Sequence, residues 1–274
     1  MALSAPNTPI FTLPPTSQLS ASATLSESQQ KQLDEFRTKI PELISASPVP
    51  EEDKSFLTDA CLLRYLRATK WILADAQKKI ANTLTWRHTY QPHKIPPAEI
   101  EEESETGKSY INGFDREGRI ILYLRPGRQN TKTYERQLRF TVFTLERALQ
   151  LLPPGGEQVC LLIDYKGASM SKNPPLSQAA ELLGILHAHY PERLGLAYLI
   201  DTPWYFSGFF KLVSPFIDPV TRNKINFGDR KKAELLEAKF DMDYIEKDVG
   251  GRFDFEYVHE VYWKALLEAT QTSS

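Results

Sequence analysis

The chain predicts an α/β fold with a mostly parallel sheet, preceded by an α-helical N-terminal unit. Three observations carry that expectation. Gln158–Asp164 and Leu194–Ile200 are short, nearly continuous apolar runs, the pattern of strands buried on both faces. Helical patterns over Thr133–Leu152 and Leu176–His189 alternate with those runs, as the crossovers of a parallel sheet require. Residues 203–217 hold nine large apolar side chains (Trp204, Tyr205, Phe206, Phe209, Phe210, Leu212, Val213, Phe216, Ile217) and a single charge, Lys211.

Residues 1–24, rich in Ser, Thr, Pro and Ala, read as a disordered head. Ser26 with Gln29 forms a capping-box pattern that opens a helix through Leu33, Phe36, Ile40 and Leu43. Pro48 and Pro50 break the chain. A helix over Ser55–Thr69 and another carrying Leu73, Ala76, Ile80 and Leu84 on one face complete a helical unit over residues 25–93, ending near the Pro-rich loop 91–97. Residues 94–274 form the second domain. Ser109–Gly113 and Arg119–Leu124 read as strands around the turn Asp115–Gly118. Leu138, Val142, Leu145, Leu149 and Leu152 mark the helix that Pro153–Gly156 stops. A short strand near Lys224–Phe227 and helices near Lys231–Lys239 and Glu256–Ala269 close the pattern.

Wound at about 100° per residue, the apolar side chains of 203–217 cover most of a helix circumference. Such a helix is buried or sits in lipid. Exposing nine such groups would cost about 1.5–3 kcal/mol each, against a typical stability of about 5–15 kcal/mol. The segment is shorter than the roughly 20 residues that span a bilayer. It needs a second apolar surface, inside the fold or at a membrane face.

Composition narrows the function. A net charge of −2 does not support electrostatic capture of nucleic acid. Neither a run of 18 apolar residues nor a secretion-signal layout is present. Cys61 and Cys160 fall in apolar runs, which fits a reduced, cytoplasmic protein without disulfides. The chain lacks a G-x-G-x-x-G, a Walker loop and a G-x-S-x-G elbow, so neither nucleotide binding nor hydrolysis has its usual signature, and no catalytic residue is assigned. His187 and His189 point about 200° apart on a helix and do not share a metal. Glu101–Glu103 read as a solvated helix face.

A polar constellation remains. Tyr190–Gly195 lies between a helix and a buried strand, aimed at a sheet edge. Asp218–Lys224 offers a hydroxyl and two cations. Cations and hydroxyls suit a phosphodiester, and a carboxylate suits polyol hydroxyls. The same residues also fit a plain structural role, with Glu192 and Arg193 bracing a turn and Thr221–Lys224 ending a helix.

The stretches Leu62–Trp71, Trp86-Arg87, Gly118-Arg119, Ile163–Gly167, Tyr190–Gly195, Pro215–Thr221 and Val249–Gly251 together resemble the CRAL-TRIO lipid-binding family, and within it the fungal phosphatidylinositol transfer proteins. Arg125–Thr133 is similar to a fungal subgroup linked to azole tolerance. The resemblance implies a CRAL-TRIO fold: a sheet flooring a lipid cavity that takes one whole lipid, closed by residues 203–217 as a gate helix, with Phe206, Phe209, Phe210 and Phe216 as its aromatics. It implies phosphatidylinositol as the bound lipid and no other cofactor. It also implies headgroup contacts at Glu192, Arg193, Thr221 and Lys224, with Thr221 and Lys224 on the phosphate and Glu192 on the inositol. A family basic residue is replaced by Thr69, leaving Lys70 or Arg67 to supply that charge. Hydroxyl side chains that serve phosphatidylcholine in the family's prototype align with Ile111, Leu122, Val159 and Leu161, all aliphatic here. A phosphocholine placed there would lose about 2–7 kcal/mol per unpaired polar group. The expected cargo is therefore phosphatidylinositol without phosphatidylcholine, with a sterol or another apolar ligand such as squalene as second cargo. Exchange at a transient membrane surface (endoplasmic reticulum, lipid droplets or endosomes) and presentation of lipid to a phosphatidylinositol kinase complete the expectations.

Overall fold

The computed structural model describes residues 7–19, 24–46, 56–170, 174–230 and 236–270. They form two compact units. One comprises residues 21–94 with 181–193; the other comprises 1–20, 95–180 and 194–274.

The first unit is built on α1 (Glu27–Ala46), α2 (Asp59–Ala68) and α3 (Leu73–Tyr90). The capping box forms: Ser26 N donates to Gln29 Oε1 at 3.0 Å and Gln29 N to Ser26 Oγ at 3.3 Å. Leu33, Phe36, Leu62, Tyr65, Leu66 and Ile80 interlock as its core. Helix α2 starts at Asp59, later than the Ser55 expected, because Thr58 adopts extended backbone and its side chain accepts from Cys61 N at 3.2 Å. The expected break at Pro48 and Pro50 lies outside the described residues.

The second unit opens with α4 (Pro97–Ser104) and continues through β1 (Ser109–Phe114), β2 (Ile120–Leu124), α5 (Tyr134–Gln150), β3 (Val159–Asp164), α6 (Leu176–His189, whose last turns belong to the first unit), β4 (Leu194–Ile200), α7 (Phe206–Val213), α8 (Pro219–Arg222), β5 (Ile225–Gly228) and α9 (His259–Ala269). The five strands lie in sequential order. Only β1–β2 is antiparallel; β2–β3, β3–β4 and β4–β5 are parallel, so the expected mostly parallel sheet is present. The helix expected near Lys231–Lys239 falls largely outside the described residues.

Two expectations are corrected. Residues 7–19, read as disordered, are docked along the sheet unit. Ile10 N donates to Asn112 Oδ1 at 2.9 Å, Gly113 N to Ile10 O at 2.9 Å, and Gln18 N to Arg116 O at 2.9 Å. The bulge at Gly113 (φ +74°) turns that N–H away from the ladder and offers it to the strap, which composition alone does not reveal. Of Glu101–Glu103, read as solvated, Glu103 is fully buried. It accepts from Lys108 Nζ, from Thr131 Oγ1 at 2.6 Å and from Arg136 Nε at 2.6 Å, and these donors replace the water it gives up.

Candidate functional site

Side chains alternate across strands, so register decides which residues share a face. Ile111, Leu122, Leu161, Ala197 and Ile225 are successive partners and form one row across the sheet. Leu124, Ile163, Leu199 and Phe227 form the next row on that face, and Ile120, Val159 and Leu194 the row before. The four aliphatic residues expected to line a cavity, Ile111, Leu122, Val159 and Leu161, therefore share one face. The opposite face carries Tyr110, Tyr123, Leu162 and Tyr198. That face is fully packed, whereas Leu161 and Ile163, although central, are only half-buried. Apolar α6 likewise holds no fully buried residue.

Helix α7 covers the aliphatic face. Phe206 is buried on Ala197 and Leu199, with Phe209, Phe210, Leu161, Ile163 and Tyr165 around it. Its ring lies 4.9 Å from Tyr165, 5.8 Å from Phe210 and 6.2 Å from Phe227. The other side is bare: Trp204 is 86% exposed, Leu212 59% and Phe216 49%. The α-helix is shorter than the expected 203–217 segment, and Ser214–Phe216 continue as a 3₁₀ turn because Pro215 has no N–H to extend the ladder. Among the described residues no helix is long and apolar enough to cross a membrane.

Beyond this helix the chain turns on polar side chains. Asp218 caps α8 by accepting from Thr221 N at 2.9 Å. Arg222 Nη2 donates to Ser214 O at 2.8 Å, tying the turn back to the end of the aromatic segment. Thr221 O accepts from Lys224 N at 3.0 Å, and Lys224 Nζ donates to Leu194 O at 2.7 Å. Thr221 and Lys224 thus sit one turn apart at the amino ends of β4 and β5, not at the carboxyl ends where α/β sheets commonly bind ligands.

Glu192 and Arg193 occupy the turn between α6 and β4, both half-buried. Glu192 has φ +60°, a left-handed conformation uncommon for a non-glycine residue, and such outliers gather at functional sites. Upstream, His189 stacks on Trp86 at 4.3 Å, and burial, reinforced by the Lys79 ammonium, pushes its pKa down to about 4. Thr69 ends α2 with its hydroxyl directed at Tyr65 O (3.0 Å), so that group caps its own helix. Lys70 is exposed, with φ +53°.

Sequence reasoning missed a buried ion network at the opposite, carboxyl end of the sheet. Arg125, 4% exposed, reaches Glu246 at 2.6 Å, Asp248 at 3.0 Å and Asp164 at 3.4 Å. Arg230 joins Asp164 at 2.6 Å and also pairs with Asp201, the residue just ahead of the aromatic segment. Burial raises the Glu246 pKa against the pull of Arg125, Asn112 and Tyr110. A cavity of about 410 Å³ adjoins the network, lined in part by Tyr110, Arg125, Arg128, Glu246 and Tyr257. The available signal was an arginine directly after the all-apolar strand β2.

A model of the CRAL/TRIO domain matches residues 104–251, and one of the CRAL/TRIO N-terminal domain matches residues 32–82. The chain belongs to the CRAL/TRIO family. A CRAL-TRIO domain-containing protein of Schizosaccharomyces pombe is 48% identical over 218 residues, covering 80% of this chain but 21% of its own length. Phosphatidylinositol transfer protein PDR17 of Saccharomyces cerevisiae is 36% identical over 233 residues, 81% of this chain and 65% of its own. The SEC14 cytosolic factor of Candida glabrata is 33% identical over 204 residues, 67% and 68%. The chain thus spans about a fifth of the first relative and just under two thirds of the second. The crystal structure of Sfh5 superimposes with a TM-score of 0.67 at 17% identity, covering 88% of this chain and 93% of that one, which confirms the CRAL/TRIO fold.

Proposed function

We propose that this CRAL/TRIO protein is a non-catalytic carrier that encloses one phosphatidylinositol molecule and exchanges it at membrane surfaces. The carrying observation is an aliphatic sheet face on which Leu161 and Ile163 stay half-buried, covered by an aromatic segment that seals with Phe206 and leaves Trp204, Leu212 and Phe216 bare. Similarity to PDR17, a phosphatidylinositol transfer protein, supports the same cargo. Acyl chains take the face held by Phe206, Phe209 and Phe210, and the helix lifts to admit them. Releasing a diacyl lipid into water costs about 0.8 kcal/mol per methylene, on the order of 20 kcal/mol for two chains. Exchange therefore takes place while the open helix faces a bilayer, with its aromatics in the interface and Lys211 near headgroups.

Thr221 and Lys224 bind the phosphate, Glu192 the inositol hydroxyls, with Arg193, Lys70 and Thr69 in support. The row Ile111, Leu122, Leu161, with Val159 beside it, supplies no hydroxyl or other polar side chain, so phosphatidylcholine is excluded and a second cargo is more apolar, such as a sterol. The protein works in the cytoplasm, peripheral to intracellular membranes. Vesicle-to-vesicle transfer tests the reading. Lys224→Ala and Glu192→Ala abolish phosphatidylinositol transfer and spare sterol binding; transfer by both variants at the unsubstituted rate overturns the headgroup assignment.

A further inference from the structure

The aromatic segment is tied down at its amino end by one arginine. Strand β4 runs out at Ile200, and Asp201 N still donates to Gly228 O, the end of β5, at 3.1 Å. The chain then leaves the sheet abruptly. Asp201 has φ +52°, a left-handed conformation that Asp tolerates better than most residues. Past it the hydrogen bonds turn inward on the segment: Phe206 N donates to Pro203 O at 2.9 Å and Phe209 N to Tyr205 O at 3.4 Å. Among the described residues, Asp201 is therefore the last one hydrogen-bonded to the sheet before α7.

The Asp201 side chain is held in turn. Arg230 donates to both of its oxygens, from the backbone N–H to Oδ1 at 3.2 Å and from Nε to Oδ2. The rest of that guanidinium is anchored elsewhere. Its Nη2 donates to Asp164 Oδ1 at 2.6 Å, at the end of β3, and its Nη1 to Asp248 O at 2.6 Å. Asp164 is buried, with Arg125 on its other oxygen at 3.4 Å, so the anchor is fixed. The carboxyl end of the segment has a weaker tie. Arg222 donates to Ser214 O at 2.8 Å and to Ile217 O at 3.4 Å, which folds the segment onto its own following turn and reaches no strand.

We propose that Asp201 is the hinge of the gate and Arg230 its latch, the pair breaking each time α7 lifts and re-forming when it closes. This deepens the carrier reading, on which it rests, by naming the bond that yields when cargo enters. Hinges are a few element-terminal residues that absorb a backbone change, and Asp201 sits at such a point. The electrostatics suit a bond that opens repeatedly. The Arg230 and Asp201 side chains are 21% and 32% exposed, so water takes over the freed carboxylate, whereas Arg125 is 4% exposed. Arg230 keeps Asp164 while Asp201 swings away, and no buried charge is left uncompensated.

The test is amide hydrogen exchange on the full chain and on Asp201→Asn, which keeps the size and the tolerance of left-handed backbone but removes the charge. Arg230→Lys is the second variant: one ammonium does not reproduce the fork that reaches Asp201 and Asp164 together. In the unsubstituted chain the amides of Phe210–Val213 are expected to exchange faster than those of Val142–Leu145 in α5, because α7 opens by itself. Both variants should speed Phe210–Val213 by about three- to tenfold, the range of one partly exposed charged hydrogen bond. Transfer of fluorescent phosphatidylinositol between vesicles should quicken with them. Unchanged rates at Phe210–Val213 in both variants overturn the latch, and so does an α7 that exchanges only as slowly as α5. If the unsubstituted chain carries no phosphatidylinositol, the carrier reading falls, and the amide rates still decide whether the pair holds α7 down.

Discussion

Arg125 and Glu103 show how single residues hold this molecule together. Arg125 is sequestered with Glu246 and Asp164, both also buried. Removing one partner of such a set leaves uncompensated charge, which costs about 3–5 kcal/mol. Arg125→Met is expected to lose stability on that scale by urea denaturation, and Arg125→Met with Glu246→Leu to recover part of it. Glu103 works in the opposite direction. Burial raises its pKa, but the donors Lys108, Thr131 and Arg136 together outweigh it and hold the carboxyl below its ordinary value. A depressed folded-state pKa contributes stability above the unfolded value of about 4.3 that is lost as pH falls through the folded one. Glu103→Gln should therefore flatten the acid limb of a stability–pH profile below about pH 4.3. An unchanged acid limb would refute that role. Neither residue's burial was legible from sequence, since a carboxylate in an acidic run is solvated unless donors from other elements reach it.

Helix α7 is the element on which the proposed transfer turns. Its composition already required a second apolar surface, but composition could not say which ring seals and which stay bare. Phe206 seals; Trp204, Leu212 and Phe216 do not. Trp204→Ala is expected to weaken vesicle binding about tenfold, in line with about 1.5–3 kcal/mol for a large side chain taken out of water, with little change in melting temperature. Phe209→Asp with Phe210→Asp should block lipid transfer. Transfer that survives both substitutions would remove the gate assignment.

At the level of the whole molecule, occupancy and stability are linked. A ligand at 100 times its Kd adds about 2.7 kcal/mol to the folded state. Phosphatidylinositol vesicles should therefore raise the melting temperature, whereas phosphatidylcholine vesicles should not. Mass spectrometry of lipid extracted from the purified chain is expected to find phosphatidylinositol; near-stoichiometric phosphatidylcholine would end the exclusion argued from Ile111, Leu122, Val159 and Leu161.

The amino-acid sequence alone determined the order of helices and strands, the parallel sheet and an apolar segment that needs a second apolar surface. These features follow from periodicity, which neighbouring residues specify among themselves. Tertiary structure alone decided that residues 7–19 dock, that Glu103 is enclosed, that Arg125 meets Glu246 across 121 residues of chain, and that Arg230 joins Asp201 to Asp164. Whether a polar group finds a partner depends on atoms that only folding brings near, so no local pattern encodes it.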